Sequence, residues 1–270
     1  SASLVGSEMC IRDSCMTVTD VNVVKSAIFE RPDDANKGTL GSLLCVCGSY
    51  GMAGAAVMSA KGALRTGIGL AKCALPRSIY PIVAQTILES VYYPLSENAD
   101  GRISKVNVPF LVSESCKSSA TLVGCGLGVC DDTLKIVFSL IENSTTPLVL
   151  DADALNCVAK QPEILLRKKA PIIITPHPGE MSRLTGLATP LVNAERERVA
   201  LDFAQKYGVV TVLKGAGTVI ASPNGKVLVN PTGNSGMATG GSGDVLAGMT
   251  ASILAQGASC LLYTSPSPRD

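Results

Sequence analysis

LLCVCGSYGMAGAAVMSAKGALRTGIGLAKCAL, running from Leu43 to Leu75, is the stretch that settles the class of fold. Leu43–Cys47 is apolar without a polar break, the pattern of a strand buried on both faces. Gly48-Ser-Tyr-Gly51 interrupts it. Ala53–Thr66 continues with small and apolar residues at helical spacing, closed by Gly67. Ile68–Leu75 is a second apolar run, ended by Pro76. Strand, glycine turn, helix and strand make one parallel βαβ unit.

The same alternation continues in both directions. Arg77–Leu88 reads as a helix and Glu89–Tyr93 as a short strand. The polar segment Ser96–Ser118 gives no clear element. Ala120–Gly124 is a strand, and Asp131 or Asp132 can cap a helix to about Glu142. Strands follow at Pro147–Leu150 and Pro171–Thr175, and one long amphipathic helix at Leu191–Tyr207, with Glu195-Arg-Glu-Arg198 facing outward. Then the pattern changes to three β-type runs, Val209–Leu213, Thr218–Ala221 and Lys226–Val229, the last two joined by the hairpin turn Ser222-Pro-Asn-Gly225. The sum is a three-layer α/β sandwich: a mostly parallel sheet, helices on both faces, an antiparallel edge hairpin, and ligands at the carboxyl ends of the strands.

Composition narrows the function. The chain has 270 residues with a formal net charge of +1, which does not make a nucleic-acid surface. No segment approaches the ~18 apolar residues of a membrane span. Ten cysteines in a chain of this length are not a disulfide scaffold, and with His177 the only histidine no zinc spacing is formed. The expectation is a cytoplasmic protein with reduced thiols. Ser1–Ser14 and Cys260–Asp270 read as non-native tails around a single domain at 15–259, truncated at its C-terminus.

The chemistry concentrates in glycine loops. Asn230-Pro-Thr-Gly-Asn-Ser-Gly-Met-Ala-Thr-Gly-Gly-Ser-Gly-Asp244 holds five glycines between Gly233 and Gly243 and runs straight into an apolar helix. Free N–H groups and the positive end of a helix dipole form a phosphate cradle there. Asp244 would repel phosphate, so it is read as a base that deprotonates an attacking hydroxyl, its charged form favoured by the helix N-terminus. Lys214-Gly-Ala-Gly-Thr218 ends a strand, where Lys214 can meet phosphate oxygens. His177, locked between two prolines in Thr175-Pro-His-Pro-Gly-Glu180, is read as a ligand contact, with Glu180 as a helix cap. Asp151-Ala-Asp153 either caps a helix or holds Mg²⁺ through water. The loops 48–55 and 124–128 complete four glycine turns at strand ends, the sign of a long ligand along the sheet's edge.

Together these motifs resemble the ADP- or ATP-dependent NAD(P)H-hydrate dehydratase family. Lys37-Gly38, GSYGMAGA (48–55), GCGLG (124–128), LDADALN (150–156), TPHPGE (175–180), LKGAGT (213–218) and NPTGN…ATGGSGDVLAG (230–248) carry the resemblance, which extends from about Asn36 to Gly257. It implies a ribokinase-like fold and the nucleotide-dependent return of hydrated NADH or NADPH to the working cofactor. By motif, Lys214, Gly215, Ala216, Gly217, Thr218 and Gly243 would meet the nucleotide. Ala55, Gly126, His177 and Asp244 would meet the hydrate. Mg²⁺ with ADP or ATP, and assembly as a homo-oligomer, a tetramer by family analogy, are further implications. A ribokinase-like small-molecule kinase that releases a stable phosphoester is the alternative, since the same glycine-aspartate logic serves both. A nucleotide-binding module without catalysis is a third reading, disfavoured by Asp244.

Overall fold

The computed structural model describes residues 16–18, 33 and 35–258. The tail assignments at 1–14 and 260–270 lie outside the described residues, and so does residue 15. The chain forms a sheet whose ten strands are β1 (Met16–Val18), β2 (Ser42–Val46), β3 (Leu70–Pro76), β4 (Val91–Leu95), β5 (Ala120–Val123), β6 (Leu148–Leu150), β7 (Ile172–Ile174), β8 (Val210–Leu213), β9 (Thr218–Ala221) and β10 (Val227–Asn230). Their spatial order is β1-β10-β9-β8-β7-β6-β5-β2-β3-β4. Only the pairs of β9 with β8 and β10 are antiparallel. The hairpin therefore sits near one end of the sheet as expected, and the short β1 adds to it in parallel, which the sequence reading did not anticipate.

The helices are α1 (Ala53–Arg65), α2 (Tyr80–Thr86), α3 (Val108–Cys116), α4 (Asp131–Asn143), α5 (Asp153–Val158), α6 (Pro178–Thr185), α7 (Thr189–Ala194), α8 (Arg196–Tyr207) and α9 (Ser242–Ala255). Side-chain alternation along the strands splits the core into two layers. Leu43, Cys45, Leu122 and Ile173 pack against α1, α2 and α9, whereas Leu44, Val46, Val123, Ile172 and Ile174 pack against α3 to α6 and α8. Among the described residues, no helix is long and apolar enough to cross a membrane.

Two elements differ from the sequence reading. The helix expected at 191–207 is broken at Glu195, whose φ of −126° and ψ of 42° leave the helical region. The polar stretch 96–118 contains α3, started by Pro109 in its first turn. Helices α1 and α9 touch backbone to backbone. A Cβ at Gly62 would lie 2.7 Å from the carbonyl oxygen of Val245, and one at Gly248 would strike the Ser59 carbonyl. Ser252 Oγ donates to Ala63 O at 2.9 Å across the same contact. The small residues of the sequence thus let α9 settle deep against the sheet, which fixes where its N-terminus ends up.

Candidate active site

The strand order reverses between β2 and β5, so the chain diverges there and leaves a crevice at the carboxyl ends. Gly48 N donates to Cys125 O at 2.8 Å and Ser49 Oγ to Gly126 O at 2.8 Å, tying the two glycine loops together across that point. Gly124 has a φ of 126°, and a Cβ there would run into the Asp151 carbonyl. The residue after Asp151 is Ala152, at φ 48°, the one non-glycine with positive φ among the described residues. Backbone strain of this kind persists where surrounding contacts impose it.

The glycine loop reaches the same edge. Helix α9 starts at Ser242, with Gly241 before it at φ 91°, which places Asp244 third in the helix. Among the described residues, the N–H groups of Gly240, Gly241, Gly243 and Asp244 donate no hydrogen bond. Those amides remain free for an anion, as the sequence predicts. The side chain of Asp244 is half-buried, and its carboxyl oxygen lies within 4.8 Å of Cys125 Sγ and an Asp151 oxygen.

Asp151 organises what lies beneath. It is only 2% exposed, accepts from Thr175 Oγ1 at 2.7 Å, and pairs with Lys214 Nζ at 2.6 Å. Glu180 Oε2 lies 3.9 Å from the same ammonium. A Cβ at Gly243 would be 3.5 Å from Lys214 Nζ, so this cation also borders the glycine loop. Burial works against the Lys214 charge, but Asp151 and Glu180 outweigh it and hold the ammonium above its ordinary value. Lys214, which the sequence reading places where it can meet phosphate oxygens, is held by Asp151.

The expectation that the helix N-terminus favours charge on Asp244 needs correction. Its carboxyl sits above the usual carboxylate range, through burial first and then repulsion from Asp151; Cys125 and Lys214 oppose this only in part. Glu180 is also raised, by burial, with Lys214 pulling the other way.

His177 has a local role that sequence reading did not assign. Its Nδ1 accepts from Gly179 N at 3.0 Å and Glu180 N at 3.3 Å, and Glu180 Oε2 accepts from His177 N at 2.8 Å. The two residues form a reciprocal cap on α6. With Nδ1 accepting, the proton of the neutral ring is on Nε2, 3.5 Å from Glu180 Oε1, in a side chain that is half exposed. Glu180 caps as expected. Asp153 does not cap: its carboxylate accepts from Gly128 N at 2.8 Å and from Asn156 Nδ2 at 3.2 Å, pinning the 124–128 loop.

Ala55 and Gly126 are both buried and adjoin one another, since a Cβ at Gly126 would lie 2.7 Å from that of Ala55. The methyl group of Ala55 belongs to the core beside α9. Lys214, Gly215, Ala216, Gly217 and Thr218 form the turn between β8 and β9, with Gly215 at φ 145° and Gly217 at φ 66°. Beside the glycine loop, Met58, Met237, Met249 and Gly240–Ser242 line a cavity of about 470 Å³. A cavity of about 500 Å³ between Leu184 and Tyr207 shares none of the residues assigned to the site. The residue that sequence reading undervalued is Asp151. The signal for it was its place directly after a buried strand in the LDADALN run.

A glycine-rich loop with free amides at a helix start, on the carboxyl edge of a largely parallel sheet, is the layout of a phosphate-binding α/β fold. The fold matches a ribokinase-like superfamily protein from Enterococcus faecalis with a TM-score of 0.76, at 24% identity over 89% of this chain and 80% of that one. The profile of the NAD(P)H-hydrate dehydratase family matches residues 43–265, and the chain belongs to that family. It is 32% identical to the ADP/ATP-dependent NAD(P)H-hydrate dehydratase of Bacillus subtilis, crystallised with ATP/Mg²⁺, with a TM-score of 0.72 over 86% of this chain and 78% of that one. It is also 39% identical over 233 residues to the bifunctional NAD(P)H-hydrate repair enzyme Nnr of Moorella thermoacetica. That match takes in 86% of this chain but 44% of the relative, so the chain spans less than half the length of such relatives.

Proposed function

We propose that this chain restores hydrated NADH or NADPH by phosphorylating the hydroxyl on the reduced nicotinamide ring and releasing phosphate. The observation that carries the reading is the pairing of free Gly243 and Asp244 amides with the Asp244 carboxylate at one helix start. Amides there stabilise charge on a transferring phosphoryl group, and the carboxylate is placed to take a proton. Burial and Asp151 make Asp244 a stronger base than an exposed aspartate, which suits proton abstraction.

In the proposed sequence Asp244 removes the hydroxyl proton as that oxygen attacks the terminal phosphorus of the nucleotide. An O–P bond forms while the P–O bond to the leaving nucleotide breaks. Phosphate then leaves the new ester with the C–O bonding pair as the ring nitrogen lone pair forms a C=N bond. Loss of a proton from the neighbouring carbon restores the ring double bond. Phosphate is expelled because it is a far better leaving group than hydroxide.

The role of Lys214 in this scheme is to keep one positive charge between Asp151 and the glycine loop. His177, whose side chain is half exposed, contacts the hydrate. Gly126, and Ala55 through its backbone, shape the crevice that receives it. The turn 214–218 receives the nucleotide. Hard carboxylate oxygens of Asp151, Asp153 and Glu180 suit Mg²⁺. Their protein partners at 2.6–3.2 Å favour contact through water. When bound, the ion would neutralise nucleotide phosphate charge.

The test is incubation of the full chain with chemically hydrated NADH, Mg²⁺ and either ADP or ATP. The expected result is recovery of dihydronicotinamide absorbance with stoichiometric free phosphate. A phosphorylated product that persists would instead assign the site to a small-molecule kinase.

A further inference from the structure

The charge run at 195–198 was read from sequence as solvent-facing, yet one of its members turns inward. Arg196 is the first residue of α8, and its Nη2 donates to Leu213 O at 2.9 Å and to Lys214 O at 3.1 Å. Those two carbonyls are the last of β8 and the first of the 214–218 turn. Leu213 is the last residue of β8 in register, opposite Val219, and the backbone leaves the ladder after it, with Gly215 at φ 145°. A Cβ at Gly215 would lie 2.9 Å from both Nη1 and Nη2, so the turn wraps directly over the guanidinium.

Apart from those two bonds and the nearby charge of Glu197, this placement is unfavourable. A cation at a helix N-terminus opposes the dipole. Burial lowers the guanidinium's proton affinity. Among the described residues no carboxylate pairs with it, and its buried Nε has no hydrogen-bond partner. The break at Glu195 that starts α8 at this residue is what allows the side chain to reach the turn. A continuous helix through 191–207 would not have put a first-turn residue at this position.

We propose that Arg196 is a positioning residue for the phosphoryl donor, holding the Leu213–Lys214 carbonyls so that the 214–218 turn is preformed for the nucleotide. This rests on the reading of 214–218 as the nucleotide turn. Arg196 does not touch the nucleotide itself. It acts alongside the other two anchors of the turn, Lys214 N to Pro176 O at 2.8 Å and Thr218 Oγ1 to Gly215 O at 3.0 Å. Without the guanidinium the two carbonyls lose their shared donor, and the turn must be ordered at the cost of binding energy.

The experiment measures Kd for Mg²⁺–ADP and Mg²⁺–ATP by calorimetry, and KM for nucleotide and hydrate separately, in the full chain. Arg196→Met is expected to raise nucleotide Kd and KM roughly tenfold or more, with hydrate KM unchanged. Arg196→Lys, which keeps a donor but not the planar fork, should fall between Arg196→Met and the parent. Arg198→Ala, removing an exposed side chain paired with Glu195, should leave nucleotide Kd unchanged. Thermal unfolding of each variant separates this from a loss of folded protein, which lowers the number of binding sites without moving Kd. Wild-type nucleotide affinity in folded Arg196→Met or Arg196→Lys overturns the inference while the proposed reaction stands. A parent chain that binds neither nucleotide overturns both.

Discussion

Replacing Gly62 with alanine tests whether the α1–α9 contact sets the position of the catalytic loop. The new Cβ would lie 2.7 Å from Val245 O, 3.2 Å from its Cα and 3.3 Å from its carbonyl carbon. Ordinary contact begins at 3.4 Å, so the Val245 backbone must retreat by the difference, about 0.7 Å. The obstacle is main chain, and no rotamer change can relieve it. Val245 is the direct neighbour of Asp244, so the displacement reaches the base and the free amides. Overpacking costs about 1–3 kcal/mol. Against this, alanine gains roughly 1 kcal/mol over glycine in a helix interior. The net is a loss of about 1 kcal/mol, or roughly 2–4 °C in Tm for a domain of this size. The larger effect should be on rate, because a misplacement near 1 Å can cost about 10²-fold. Thermal unfolding and hydrate turnover are the assays. Gly54→Ala is the contrast: nothing lies within 4 Å of a Cβ there, so stability should hold or rise by up to about 1 kcal/mol. A Gly62→Ala protein with raised Tm and unchanged kcat would refute the claim that close helix packing positions this site.

Four further outcomes follow from the same geometry. Lys214→Met leaves Asp151 buried without its cation and should destabilise by about 3 kcal/mol, at the low end for a buried pair because Lys214 is 17% exposed. Urea unfolding should show most of that recovered in Asp151→Asn/Lys214→Met. Asp244→Asn should lower kcat by about 10²–10⁴-fold while nucleotide Kd holds, and in the parent the acid limb of kcat/KM should lie above the ordinary aspartate range. The folded carboxyl of Asp244 is raised above its unfolded value, so its contribution to stability is present in acid and lost as pH rises through the folded value. Asp244→Asn should therefore gain stability over the parent at neutral pH and lose that advantage below about pH 4, measured by unfolding at both. His177→Ala removes a reciprocal cap and should cost about 1 kcal/mol by thermal unfolding.

The parallel sheet was legible because its strands are buried on both faces. Leu43–Cys47 and Ile172–Ile174 have no polar position, and only a sheet covered by helices on both sides accommodates such runs. The loop of free amides was legible for a related reason: glycine clusters are costly unless the backbone must approach something. Interactions between distant segments were not legible. Asp151 and Lys214 are 63 positions apart, and nothing local to either one shows that they meet. Their meeting depends on β6, β7 and β8 lying side by side, with β6 and β7 ending level and β8 running on to Leu213. The direction in which the Asp244 carboxyl is shifted was not legible for the same cause. A helix N-terminus is a local property visible in sequence, whereas burial and a carboxylate from another strand are not, and the latter prevail. The break at Glu195 was hidden too, since a run of alternating charges reads as continuous helix surface. In the fold the helix restarts at Arg196, whose Nη2 donates to the carbonyls of Leu213 and Lys214 across the layer. Sequence periodicity thus located the sheet edge that carries the candidate site, while pairing between strand ends set the surroundings of its charged groups.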